Sequence, residues 1–136
     1  MGGIVGNRAI ESAAIQWIIK LDGAAGRAAL DTRGGGGVAD ITSPPRTIEV
    51  KAFGGVARGQ DLWLETTQVN AALADTDFWV YVVENIAQGD PAEFRLAMIG
   101  GQRLAALLRR RRERHYFEVP WRVADYDSDP PRAMNP

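Results

Sequence analysis

An α/β sandwich, with a mixed β-sheet between helices, is the architecture this sequence predicts, and three stretches carry the prediction. Ile10, Ala14, Trp17, Ile18 and Leu21 recur at helical spacing near the start of the chain. Arg46 to Phe53 alternates between polar and apolar residues, as a strand with one buried face does. Phe78 to Val83 is a nearly continuous apolar run rich in β-formers, which suits a central strand covered on both faces.

The remaining elements follow in order. Asn7 is placed to cap the first helix, which runs about four turns to Gly23 and Gly26. Arg27 to Asp31 reads as a first strand, Gly34 to Gly37 as a turn, and Val38 to Ile41 as a second strand. Ser43-Pro44-Pro45 is a turn, because proline cannot continue a central strand. The strand at Arg46 follows, then a loop from Gly54 to Gly59 and a brief strand at Leu62-Trp63-Leu64. A helix is expected from about Thr66 to Leu73, capped by Thr66 or Thr67. After the Phe78 strand come a loop at Gln88 to Pro91, a strand at Phe94 to Ile99 and a helix at Gln102 to Arg112. That helix carries Leu104, Leu107 and Leu108 on its apolar side. Tyr116 to Val119 is expected to close the sheet. The expected organisation is one domain over 1–127 and a frayed tail over 128–136, where Pro, Asp, Asn and Arg dominate.

Composition sets bounds on function. A chain of 136 residues holds one hydrophobic core, and 46% apolar with 24% charged residues is ordinary for a globular domain. No run approaches the ~20 apolar residues that span a bilayer. The start lacks the basic, apolar and small-residue pattern of a signal peptide, so a cytoplasmic location and no membrane partner are expected. The absence of cysteine excludes disulfides, thiolate metal sites and a cysteine nucleophile. Net charge is −1, yet its distribution is uneven: residues 61–102 carry one basic residue against seven acidic, while both flanking stretches are net basic. If the two ends fold together, a basic face can form despite the neutral total.

The chemistry is concentrated in two short stretches, Ala39-Asp40-Ile41 and Ile48-Glu49-Val50-Lys51-Ala52. Alternation puts Glu49 and Lys51 on one strand face, and Asp40 closes a neighbouring strand. Two carboxylates can hold a hard cation through oxygen, and an ammonium beside them can steady an attacking water or a developing phosphoryl charge. A plainer account makes Asp40 a turn initiator and the Glu49–Lys51 pair a solvent face, but Ile48, Val50 and Ala52 form an apolar face in mid-domain. Asp31, which also ends an apolar run, is a rival for the second carboxylate.

This ordered set resembles the D…ExK core of restriction-endonuclease-like nucleases, the PD-(D/E)xK superfamily. With the Glu11 helix before it, and Leu64-Glu65-Thr66-Thr67-Gln68-Val69-Asn70-Ala71-Ala72 and Tyr81-Val82-Val83-Glu84-Asn85 after it, the chain is similar to the NO VEIN C-terminal domain family from about Asn7 to Tyr126. The resemblance implies a restriction-endonuclease-like sandwich and a metal-dependent nuclease hydrolysing phosphodiester bonds. Asp40, Glu49 and the Val50 carbonyl would bind Mg2+ or Mn2+, with Lys51 as the catalytic cation. It also implies that Glu11 and Gln68 hold water or a second metal, although both also read as ordinary helix-surface residues, Glu11 pairing with Arg8. Arg46 and Arg58 flank the strand and are candidates for positioning a nucleic-acid phosphate. Arg109 to Arg112 point around the whole helix and suit its C-terminal dipole, so they form no single patch. His115, Trp63, Trp79 and Tyr81 read as packing residues, with Trp63 or Trp121 an alternative interface residue. The expected partner is nucleic acid, DNA in the first place. A homodimer or an accessory role in a larger system is a further expectation. The alternative is a nuclease-fold module that binds nucleic acid or a protein without cutting.

Overall fold

The computed structural model describes residues 3–115 and 117–134. Five strands form one mixed sheet in sequence order. They are β1 (Leu30–Asp31), β2 (Ile41–Ser43), β3 (Arg46–Ala52), β4 (Phe78–Glu84) and β5 (Arg95–Ile99). Neighbours are antiparallel except β3 and β4, which run parallel, with Glu49 opposite Val80 and Lys51 opposite Val82. A parallel pair needs a crossover, and the segment between the two strands supplies it with helix α2 (Thr66–Ala74).

Helix α1 (Asn7–Ala24) covers one face of the sheet. Ala14, Ile15 and Ile18 are fully buried there against Ile48, Val50, Tyr81 and Val83. Helix α3 (Gly101–Leu108) and α2 cover the other face, where Leu104 and Leu108 meet Phe78, Val80, Val82 and Ile99. Every side chain of β4 from Phe78 to Val83 except Trp79 is buried, which is why this strand reads as a continuous apolar run. The expected α/β layering is present. Among the described residues no helix is long and apolar enough to cross a membrane.

Several boundaries differ from the expectation, each for a local reason. Asn7 is the first helical residue and not the cap; Gly6, at φ 94°, takes that place and lets the chain turn in. The second strand starts at Ile41 rather than Val38, because the chain turns from Arg33 to Gly36 and bends through Val38–Asp40 before pairing begins. Leu62-Trp63-Leu64 forms no strand: β3 and β4 pair directly, so no open edge lies between them, and Leu62 and Leu64 pack on the α2–α3 side instead. Glu65, not a threonine, caps α2, and its N–H donates to Gln68 Oε1 at 3.0 Å. α3 stops at Leu108, where the apolar spacing ends and consecutive arginines would repel across a turn. In the last expected strand, Tyr116 lies outside the described residues. Phe117–Val119 is not in the sheet, and no layer covers it. Past Leu108 every described residue is exposed, including the short helix α4 (Val123–Ser128).

One buried polar network ties α1 to the β2–β3 turn. Asp22, only 2% exposed, receives two hydrogen bonds from Arg27 at 3.0 and 3.1 Å and one from the Ser43 hydroxyl at 2.6 Å. Burial opposes ionisation of Asp22, but the Arg27 and Ser43 hydrogen bonds outweigh it and hold the carboxyl below its ordinary range. Asp22→Ala leaves Arg27 and Ser43 without their acceptor, so a loss of about 3–5 kcal/mol is expected in denaturant unfolding. A loss below about 1 kcal/mol would show that water satisfies the network.

Candidate active site

The site forms where the sheet splits. β2 pairs with β3 only as far as Ile41 opposite Ile48, yet β3 continues to Ala52. The Val50 N–H therefore lacks a strand partner on that side, and the side chain of Asp40 takes it at 2.9 Å through Oδ2. The Asp40 backbone is held as well: its N–H donates to the Ile48 carbonyl at 3.1 Å, and its carbonyl accepts from Thr32 N–H at 2.9 Å. Asp40 thus stands in for a missing strand residue, and its carboxylate is fixed at the fork. The cleft beside it, about 280 Å³, is lined by Asn7, Ile10 and Glu11 of α1, by Asp40, by Glu49 to Ala52, and by Gly54.

Glu49 and Lys51 share a strand face, as alternation requires, and pair at 3.1 Å between Oε2 and Nζ. Glu49 is only 5% exposed, and its Oε1 has no hydrogen-bond partner. Burial pushes its carboxyl up, and the neighbouring Asp40 charge adds to this; Lys51 offsets part of the rise, leaving the group at about 7. The Glu49 carboxyl thus lies between the Asp40 carboxylate and the Lys51 ammonium, and their opposing effects leave it titrating near neutral pH.

Glu11 also lines the cleft and forms an ion pair with Arg33 at 3.4 Å, not with Arg8. Asp31 is taken up by the same arginine at 2.8 Å, so it does not compete with Asp40 for the fork. The cleft thus brings together Asp40, Glu49, Val50, Lys51 and Glu11. Gln68, Arg46 and Arg58 do not line it. Gln68 is used to cap α2. Arg46 donates to the Tyr81 hydroxyl at 2.6 Å and lies over the Trp79 ring at 4.0 Å. It sits three residues before Glu49 and so on the opposite strand face. Arg58 is exposed in the loop after Gly54. Arg33 was missed by the sequence reading, although its place between Asp31 and a run of four glycines marks a turn arginine able to reach back to α1.

Among the described residues no three Asp, Glu, His or Cys side chains group closely enough to hold a metal ion. A cation in the cleft would have fewer donors to draw on: Asp40, Glu49 with its unpartnered oxygen, and the backbone of Val50. Mg2+ suits such a set, since it keeps several waters and is commonly bound through one or two carboxylates. No protein-family profile, curated protein or solved structure matches this chain.

Proposed function

We propose that this domain is a nuclease of the restriction-endonuclease-like kind, cutting phosphodiester bonds in DNA with Mg2+ or Mn2+. The observation that carries the reading is the buried Glu49 carboxyl with one orphan oxygen, set against Asp40 and paired with Lys51 on one strand face. A buried polar atom without a partner is costly, so its retention at a cleft suits a bound group that completes it. A cation held by Asp40 and Glu49 would supply charge neutralisation at the phosphate and a more acidic water.

The chain's own residues do the rest. Asp40 cannot swing, because the Val50 amide holds one of its oxygens. Glu49 releases its proton readily near neutral pH, so the carboxylate form is available when a cation arrives. Lys51, with its side chain one-fifth exposed, keeps an ammonium at the cleft wall where phosphoryl charge develops. The NO VEIN C-terminal domain remains the family the motif order resembles. The test is the conversion of supercoiled plasmid to open and linear forms. Loss that requires Mg2+ or Mn2+ and stops with EDTA supports the enzyme. Retarded plasmid that is never cut, with or without Mg2+, overturns it in favour of a binding module.

A further inference from the structure

We infer that Arg33 is a positioning residue for the candidate active site: it holds the Glu11 carboxylate at the cleft wall, where its charge would bear on a cation bound there. The inference rests on the reading of the cleft as a cation site. Its geometry is independent of the Asp40–Glu49–Lys51 motif. The Arg33 guanidinium is itself locked, because Nε and Nη2 grip the Asp31 carboxylate at 3.1 and 2.8 Å, and the Arg33 N–H donates to the same group at 3.0 Å. That leaves Nη1 pointing at α1, where it donates to Ser12 Oγ at 3.2 Å and Glu11 Oε1 at 3.4 Å. Three segments are thereby joined at one side chain: β1, the glycine-rich turn and the first turns of α1 that wall the cleft.

Without Arg33, Glu11 would be a surface glutamate, since its side chain is 43% exposed. A free glutamate side chain loses up to about 2 kcal/mol of rotamer entropy when ordered. Arg33 imposes that order in advance on one carboxylate oxygen and leaves the other free. Glu11 lines the same cleft as Asp40 and Glu49, where its charge would bear on a cation held there. An arginine suits this role and a lysine does not. The planar fork holds Asp31 with one edge and Glu11 with the other, whereas an ammonium offers no such rigid spacing.

The experiment is a double-mutant cycle in Mn2+ affinity by calorimetry, with Arg33→Lys, Glu11→Ala and the pair. Arg33→Lys retains the charge and removes the fork. For an ion pair this exposed, a loss of about two- to fivefold in Mn2+ affinity is expected. In the Glu11→Ala background, Arg33→Lys should change nothing further. Wild-type affinity in Arg33→Lys, or an equal loss with Glu11 absent, overturns the inference, and so does a wild type that binds no Mn2+. Plasmid cleavage separates the two readings. Coupled Mn2+ binding without cutting sinks the nuclease and keeps the Arg33 role; cutting without coupling does the reverse.

Discussion

Lys51→Ala is expected to lower metal-dependent cleavage by about 100- to 1,000-fold, the usual cost of removing a charge-stabilising donor aimed at a transition state. Its effect on stability is expected to depend on pH. Lys51 is the direct partner of the buried Glu49. An uncompensated buried charge is costly, but Glu49 can escape by taking a proton, because its carboxyl already sits at about 7. At pH 6 the variant should therefore unfold within about 1 kcal/mol of wild type, and at pH 8.5 it should lose about 1–3 kcal/mol. Cleavage at wild-type rate would remove Lys51 from the mechanism. A loss of stability independent of pH would show that the lysine stem, not its charge, is what the fold uses.

The second large effect links protons, metal and stability. Glu49 has an ordinary value of 4.5 and stands at about 7 in the folded chain. The folded state therefore binds this proton more tightly than the unfolded state. Its contribution to stability is full below pH 4.5, falls as pH rises, and is gone above pH 7. Over that window the metal-free protein should lose about 3 kcal/mol from this group. A cation reverses the slope, since it requires the carboxylate. At about 100-fold excess over its dissociation constant it adds about 2.7 kcal/mol. That corresponds to roughly 8 °C for a chain of this length, at about 3 °C per kcal/mol. Melting curves with Mg2+ or Mn2+ should separate from the metal-free curve more at pH 8 than at pH 5.5. Glu49→Gln should flatten the metal-free slope, stabilise the metal-free protein at pH 8 and abolish the metal shift. An unchanged slope in Glu49→Gln would assign the titration to another group. No metal shift in wild type at pH 8 would remove the cation from the site.

How much of this was legible depended on whether a signal was local. β4 was plain because burial on both faces leaves no polar position from Phe78 to Val83. β3 was plain because its alternation survives even at Glu49 and Lys51. The same alternation puts Arg46, an odd number of residues from Glu49, on the other face, where Trp79 and Tyr81 receive it. Gln68 stands three residues after Glu65, the spacing of a helix-start contact, and that local use accounts for it without any site. The fork was not legible. Nothing in Val38-Ala39-Asp40 says that pairing waits until Ile41, because where a ladder stops depends on the partner strand and the turn before it. Arg33 was hidden for a related reason: its bond to Glu11 spans 22 residues and two elements. Leu62 and Leu64 misled because an apolar pair becomes a strand only beside an open edge. Phe117–Val119 misled because its short apolar alternation acquires no covering layer.

The single parallel pair also orders the events of folding. β1, β2 and β3 pair through short connections, and β4 with β5 through another, so these pairings close only short loops. Joining them brings Thr47 against Phe78 and closes a loop of some thirty residues, an entropic cost of about 3 kcal/mol plus a constant. Such non-local steps are the slow ones. Asp40, Glu49 and Lys51 all belong to the first group, yet Val80 and Val82 of the second lie beside Glu49 and Lys51. In the unfolded chain Glu49 is hydrated, and its burial is complete only once that seam closes. Its proton uptake near neutral pH is thus a clock for the docking of the two halves, and stopped-flow refolding with a pH indicator would record it as a late phase.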